Sequence, residues 1–366
     1  MSAGARRAPL FALAAAALLG GLAAGLARLG WNFPATSLIA VHGPLMVCGF
    51  FGTVIGLERA VAIGRPWAFA APLLTGLGAL ALFAGQPTLA GLAMLGGAIV
   101  FLAIGIVVVR RQPALYTVTL GLGALAWVVG VAVWLTGGEV SPAVAAWACF
   151  LVLTIAGERL ELSRFLPPSR WKVPGAVLAF SATLAGAALL AAGGDRAAGV
   201  FGFGLLALAA WMFLHDVARR AIRQPGLSRY MATCLLSGYG WLAVAGLVCL
   251  LVGLPAGGPV YDAALHSLFV GFVFAMVFGH APIILPSVLR VPLPFHRGFY
   301  LPLLALHASL TLRVAGDLAG FDQLRLWGGL LNAATIVAFL LMTAVTVMIG
   351  RTARPATAAN ARNRGA

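Results

Sequence analysis

Apolar stretches of about 20 residues, the length that crosses a bilayer core, alternate with short polar breaks from one end of the chain to the other. They lie near residues 8–28, 35–57, 66–85, 88–109, 114–136, 142–160, 173–193, 198–218, 231–254, 261–283, 299–315 and 326–349. The pattern predicts an all-α integral membrane protein of about 12 transmembrane helices. The first run follows Arg6 and Arg7, as the apolar part of a signal peptide would. It continues too long, however, as "LLGGLAAGLARLGWN" and lacks a small-x-small cleavage site, so it is taken as the first spanning helix.

Composition leaves no room for a soluble domain: 62% of the 366 residues are hydrophobic and 9% charged, with a mean hydropathy of +1.02. Residues 1–350 are expected to form a single polytopic membrane domain, followed by a disordered basic cytoplasmic tail over 351–366. The connections on one side are short ("GQP", "TGGEVS", "AGGDRA"), too short for an external binding lobe.

The net charge of +15 would suit a nucleic-acid partner, but its distribution points to the bilayer instead. When the connections are numbered alternately, the N-terminus, the even-numbered loops and the C-terminus hold 20 of the 24 Lys and Arg residues, leaving Arg28, Arg196, Arg313 and Arg325 on the other side. Such asymmetry places both termini in the cytoplasm, supports an even helix count, and makes the lipid surface, not nucleic acid, the partner. A multi-pass protein of a bacterial inner membrane is expected.

Four cysteines (Cys48, Cys149, Cys234, Cys249) lie in or near the runs without paired spacing and are expected to pack as small apolar residues. Forty-six glycines with many alanines predict close helix contacts through small-residue faces. A faint repeat adds organisation: Glu58-Arg59 ends the second run and Glu158-Arg159 the sixth, one hundred residues apart. The tenth run shares an early histidine and a glycine-phenylalanine pattern with the second. Runs two, six and ten are four apart, which suggests three arcs of four helices. Adjacent acid and base point to different sides of a helix, so each is expected to pair on another helix.

The histidines divide by depth. His215 and His296 fall at cytoplasmic helix ends or in loops. His42 and His266 each sit one to two turns inside a run that enters from the outer face, and the two runs point the same way. At 1.5 Å per residue both imidazoles reach about 10 Å below the outer boundary. Polar side chains there are costly and face a partner. Two histidines at matched depth from separate helices suit bis-imidazole ligation of one haem iron, with Phe50, Phe51, Phe269, Phe272 and nearby glycines shaping the slot. Asp262, four residues before His266, is placed to accept from its outer ring nitrogen. Arg313 and Arg325 beside the last outer loop, and Arg28 with Trp31, are candidates to pair with haem propionates. His280 lies four turns beyond His266, about 20 Å deeper. With His307 it belongs to a second metal site, a proton route, or a structural hydrogen bond at a helix break near Pro282.

Twelve helices with cytoplasmic termini, "HGPLM" on the second and an outer-side histidine on the tenth resemble subunit I of the haem-copper oxidases. That resemblance implies three helical arcs, with His42 and His266 as the axial ligands of a low-spin haem b. It departs where copper would be held, since runs six and seven carry no histidine, and where a second haem's ligand would stand two residues from His266, since those positions are Ala264 and Leu268. An oxygen-reducing centre is therefore not implied. "HSLFVGFVFAMVFGHAPIILP" is also similar to the histidine-bearing helix of the NnrS family of haem-containing bacterial membrane proteins linked to nitric oxide response. The expected function is haem-based electron transfer, with a redox partner, or nitric oxide response. The alternatives are a secondary transporter, against which the nearly chargeless midplane counts, and an assembly protein without cofactor.

Overall fold

The structure, a computed structural model, describes residues 3–32, 36–194 and 196–362. Among these residues, twelve helices are long and apolar enough to cross a membrane, and the protein is a multi-pass membrane protein. They are α1 (Arg6–Leu29), α2 (Ser37–Ile63), α3 (Pro66–Phe83), α4 (Pro87–Arg111), α5 (Leu115–Gly137), α6 (Ser141–Ser163), α7 (Lys172–Ala191), α8 (Ala197–His215), α9 (Leu227–Leu251), α10 (Pro259–Leu289), α11 (Arg297–Ala319) and α12 (Asp322–Thr352). The helical backbone of α12 runs on to Arg362. The tail expected over 351–366 therefore begins within this helix, and its last four residues, 363–366, lie outside the described residues.

Short connections force consecutive helices to pack side by side, and each helix contacts the next in sequence, with α12 returning to α1. Both ends of the chain reach the same face. Arg7 Nη1 donates to the Val288 carbonyl at 2.8 Å, and Gly350 packs on Pro292 and Pro294. This face is called inner and the opposite one outer. Within the ring, α6 and α10 are the most enclosed helices, and α2 joins them in the interior through Phe51 and Phe274, whose ring centres are 5.3 Å apart.

Small residues carry much of the close packing, as their number predicted. On the α7–α8 face, a Cβ at Gly186 would come within 2.3 Å of the Phe201 amide nitrogen, and one at Gly204 within 2.4 Å of the Thr183 nitrogen. The four cysteines are buried as free thiols, and Trp127 Nε1 donates to Cys48 Sγ at 3.4 Å.

One expectation is corrected. The tenth helix does not break near Pro282, and it continues through Pro282 and Pro286 to Leu289. Proline at 282 lacks the N–H that would reach the carbonyl four residues back, and the Tyr230 hydroxyl supplies the missing donor, to Phe278 O at 3.2 Å. Termination comes eight residues later, where Arg290 takes a left-handed conformation with φ 55° and Pro292 and Pro294 forbid another turn.

The α7–α8 contact gives a direct test. Gly204→Val is expected to cost roughly 1–3 kcal/mol through overpacking against backbone and to lower the melting temperature in detergent. Gly240→Val, where an added carbon meets nothing within 4 Å, is expected to melt with the wild type.

Candidate functional site

The two helices that carry the outer histidines share a rare backbone feature at the same place. Directly after His42-Gly43-Pro44, α2 widens into a π-helix over Leu45–Phe51. Directly after His266, α10 does so over Ser267–Phe274. Such widened turns are uncommon and concentrate at functional sites. Pro44 and the glycines Gly49 and Gly271 sit in or beside these turns, where a Cβ at Gly271 would come within 2.3 Å of Trp241.

The structure brings His42 and His266 together, with ring centres 6.4 Å apart and ring planes 19° from parallel. His42 Nδ1 lies 2.7 Å from the Gly21 carbonyl of α1. His266 Nδ1 lies 2.9 Å from the Asp262 carbonyl and 3.2 Å from its carboxylate Oδ1. Carbonyl oxygens only accept, so in each ring Nδ1 carries a proton, and the neutral tautomer this selects has its lone pair on Nε2. The ring is thus held by one nitrogen and offers the other, the arrangement by which proteins orient metal-binding histidines. Gly25 of α1 makes the space, because a Cβ there would come within 2.8 Å of the His42 ring.

Asp262 is itself fixed from α11. Arg313 forks onto it, with Nε to Oδ2 at 2.7 Å and Nη2 to Oδ1 at 2.9 Å. Planar two-point pairing is what a guanidinium does best. The order Arg313, Asp262, His266 therefore ties α11 to α10 and to the ring. Around the pair runs a cleft of about 180 Å³, walled by Leu22, Val47, Phe51, Phe269 and Val270 and bordered by Arg28, Arg313 and Arg325. Arg325 Nε sits 2.9 Å from Asp317 Oδ1. Trp31 Nε1 donates to the Leu326 carbonyl at 3.3 Å, pinning the end of α1 over the start of α12.

His280 is not brought to the pair. Its Nδ1 donates to the Met276 carbonyl at 2.7 Å, and its Nε2 lies 3.3 Å from Arg159 Nη2. A guanidinium only donates, so Nε2 accepts and both ring nitrogens are engaged. His307 is likewise taken up, accepting from Trp241 Nε1 at 3.0 Å and donating through Nε2 to Ser237 Oγ at 2.8 Å. Neither shares a site with His42 and His266, and among the described residues no group of three or more His, Cys, Asp or Glu is placed to hold a metal ion.

The two Glu-Arg pairs lie at the inner side, and three of the four residues find partners beyond their own helix, while Glu58 has none among the described residues. Arg59 of α2 pairs with Glu158 of α6, and Arg159 lies 3.9 Å from Asp216 beside its contact with His280. Asp216 also accepts from the Tyr239 hydroxyl at 2.9 Å and from the Ala218 amide at 2.6 Å.

Three features had no place in the sequence reading. Gly21 contributes only a carbonyl, which no side-chain pattern announces. Asp317 was legible as an acid one turn after Arg313 in an apolar run. Asp216 beside His215 looked like a loop residue and is instead a buried acceptor. Residues 7–348 match a family model described as a domain of unknown function (DUF8744). No curated protein matches the chain.

The Arg313–Asp262 pair is buried, and removing one partner of such a pair typically costs about 3–5 kcal/mol. Arg313→Met is expected to lower stability by that order in detergent melts. The double variant Arg313→Met with Asp262→Asn is expected to recover part of the loss, because the stranded carboxylate is gone. Additive losses would show that the two side chains act separately.

Proposed function

The chain belongs to the DUF8744 family, and we propose that it is a haem-b-binding membrane protein, with His42 and His266 as the residues that would hold the haem iron, that serves electron transfer. The observation that carries this reading is the facing histidine pair, each ring tethered through Nδ1 and unoccupied by protein partners at Nε2 among the described residues. When bound, the haem would supply a one-electron couple whose potential its ligands and surroundings tune.

The chain's own residues fit that group. The Gly21 and Asp262 carbonyls hold each imidazole in the ligating tautomer and raise its basicity. Gly25 keeps the side of His42 clear, and the apolar walls exclude water from the slot. Arg28, Arg313 and Arg325 border the mouth, where carboxylate groups of a bound ligand would find cationic partners. Because both His42 and His266 would be committed to holding the group, the reading favours electron transfer over nitric oxide binding. The excess of Lys and Arg on the inner face favours a bacterial inner membrane with that face in the cytoplasm.

The test is an optical spectrum of the detergent-purified protein, oxidised and dithionite-reduced, with haem quantified as its pyridine complex. About one haem per chain and a sharp reduced band are expected. His42→Ala and His266→Ala are each expected to cut haem retention tenfold or more, since even partners of ligands cost about 10–100-fold. A well-folded wild-type protein that neither carries haem nor takes it up on reconstitution overturns the reading.

A further inference from the structure

A second hollow lies on the inner side of the histidine pair, enclosed chiefly by α2, α6, α10 and α12, with about 1590 Å³ of space counted to its mouth. Its walls are almost wholly apolar, from Val54, Ile55, Leu151, Ile155, Val277 and Phe339. Besides the engaged His280, its polar lining is Glu58, Glu158, Thr154, Thr343 and the exposed Arg351, which makes no ion pair with Glu58 among the described residues. Their states differ. Glu158 is held by Arg59. Thr154 and Thr343 donate to the Phe150 and Phe339 carbonyls at 2.7 and 2.8 Å, so each hydroxyl oxygen has only acceptor capacity left. Glu58 has no hydrogen-bond or ion partner among the described residues, although its neighbour Arg59 and its counterpart Glu158 are paired with each other.

A carboxyl group facing an apolar hollow inside a membrane span is costly unless something in the hollow satisfies it. The group that would do so has hydroxyls to donate, because Glu58, Thr154 and Thr343 all offer lone pairs. It is flat or slender and lipid-soluble, because the walls are aliphatic and aromatic. We propose that this hollow binds a quinol-class molecule, a hydroxylated aromatic ring with an apolar tail, with one ring hydroxyl on Glu58. A carboxyl group not locked by a cation suits both redox forms of such a ring, since it accepts from a quinol hydroxyl when ionised and donates to a quinone carbonyl when neutral.

The position adds a second argument. The hollow and the histidine cleft share Phe51, which lines both. Phe50, Phe51 and Phe274 pack with ring centres 4.8 to 5.8 Å apart and form the partition. The hollow thus adjoins the histidine cleft across one aromatic layer, and Glu58 lies two turns further in along α2.

Binding is measured calorimetrically on the purified full chain, whatever its haem content, with a decyl-substituted benzoquinol and with decylbenzene, which has the tail and ring but no oxygens. Saturable binding of one quinol per chain is expected, with decylbenzene at least about tenfold weaker, the factor that one net hydrogen bond is worth. Glu58→Leu is expected to weaken the quinol by about tenfold, and Glu58→Gln, which keeps an acceptor, by much less. Ile155→Trp, which fills the hollow, is expected to abolish binding. Equal affinity for decylbenzene would mean an acyl-chain groove and overturn the proposal, as would unchanged quinol binding by Glu58→Leu or no quinol binding by the folded wild type. Should Glu58→Leu fail to fold, the comparison of the two probes on the wild-type chain decides. Because none of these readouts depends on haem, their failure is separate from failure of the histidine reading.

Discussion

Hydrocarbon offers no hydrogen bonds, so every polar group carried into the bilayer must find its partner inside the protein. This constraint orders the interior. Threonine hydroxyls turn back onto their own helices: Thr119 to Leu115 O, Thr154 to Phe150 O, Thr183 to Ala179 O and Thr343 to Phe339 O. The carbonyl freed by Pro282 is taken by Tyr230. Asp216 gathers Tyr239, the Ala218 amide and the nearby Arg159, and Asp262 is gripped by Arg313. With so much of the polar inventory closed internally, the few side-chain positions left open carry information. Among the described residues these include Nε2 of His42, Nε2 of His266 and the carboxyl group of Glu58, together with the buried Trp147 Nε1 and Ser267 Oγ.

The spans were legible because twenty-residue apolar runs have one physical solution in lipid, and the structure places twelve helices where the runs stand. The meeting of His42 with His266 was also legible, from direction and depth alone: two parallel helices with a histidine at the same distance from the outer face bring those rings to one level. What holds the rings was not. The partner of His42 is a backbone carbonyl on α1, and backbone groups leave no trace in residue identity. The π-helical turns after each histidine were hidden for the same reason, since they arise from packing and not from propensity. Of the alternatives open for His280, the structure shows the structural hydrogen bonds. The periodicity put it on a similar face, but the guanidinium that occupies its Nε2 comes from α6, across the bundle.

The Glu-Arg repeat shows how far a sequence signal reaches and where it stops. Adjacent opposite charges cannot pair with each other across a helix, so a partner on another helix was required. Which partner was a matter of geometry. Arg59 takes Glu158, Arg159 turns to Asp216 and His280, and the crossing leaves Glu58 over. A symmetric repeat in sequence thus becomes an asymmetric network in space, with one acid facing a hollow instead of a base.

Helices α2, α6 and α10 all run from the outer to the inner face, because three spans lie between each and the next. Position along these three helices is therefore position in depth. His42 and His266 fall near the outer ends, the paired π segments and the phenylalanine partition follow, and Glu58, Glu158 and His280 fall near the inner ends. Antiparallel neighbours would have inverted one set of residues against another, placing a histidine level with a glutamate. Parallel orientation instead stacks like with like, an imidazole level above an aromatic layer above an acid-base level. That layering follows from topology before any side chain packs, and it makes the central three helices the place where an alternation of chemistries across the membrane can be built.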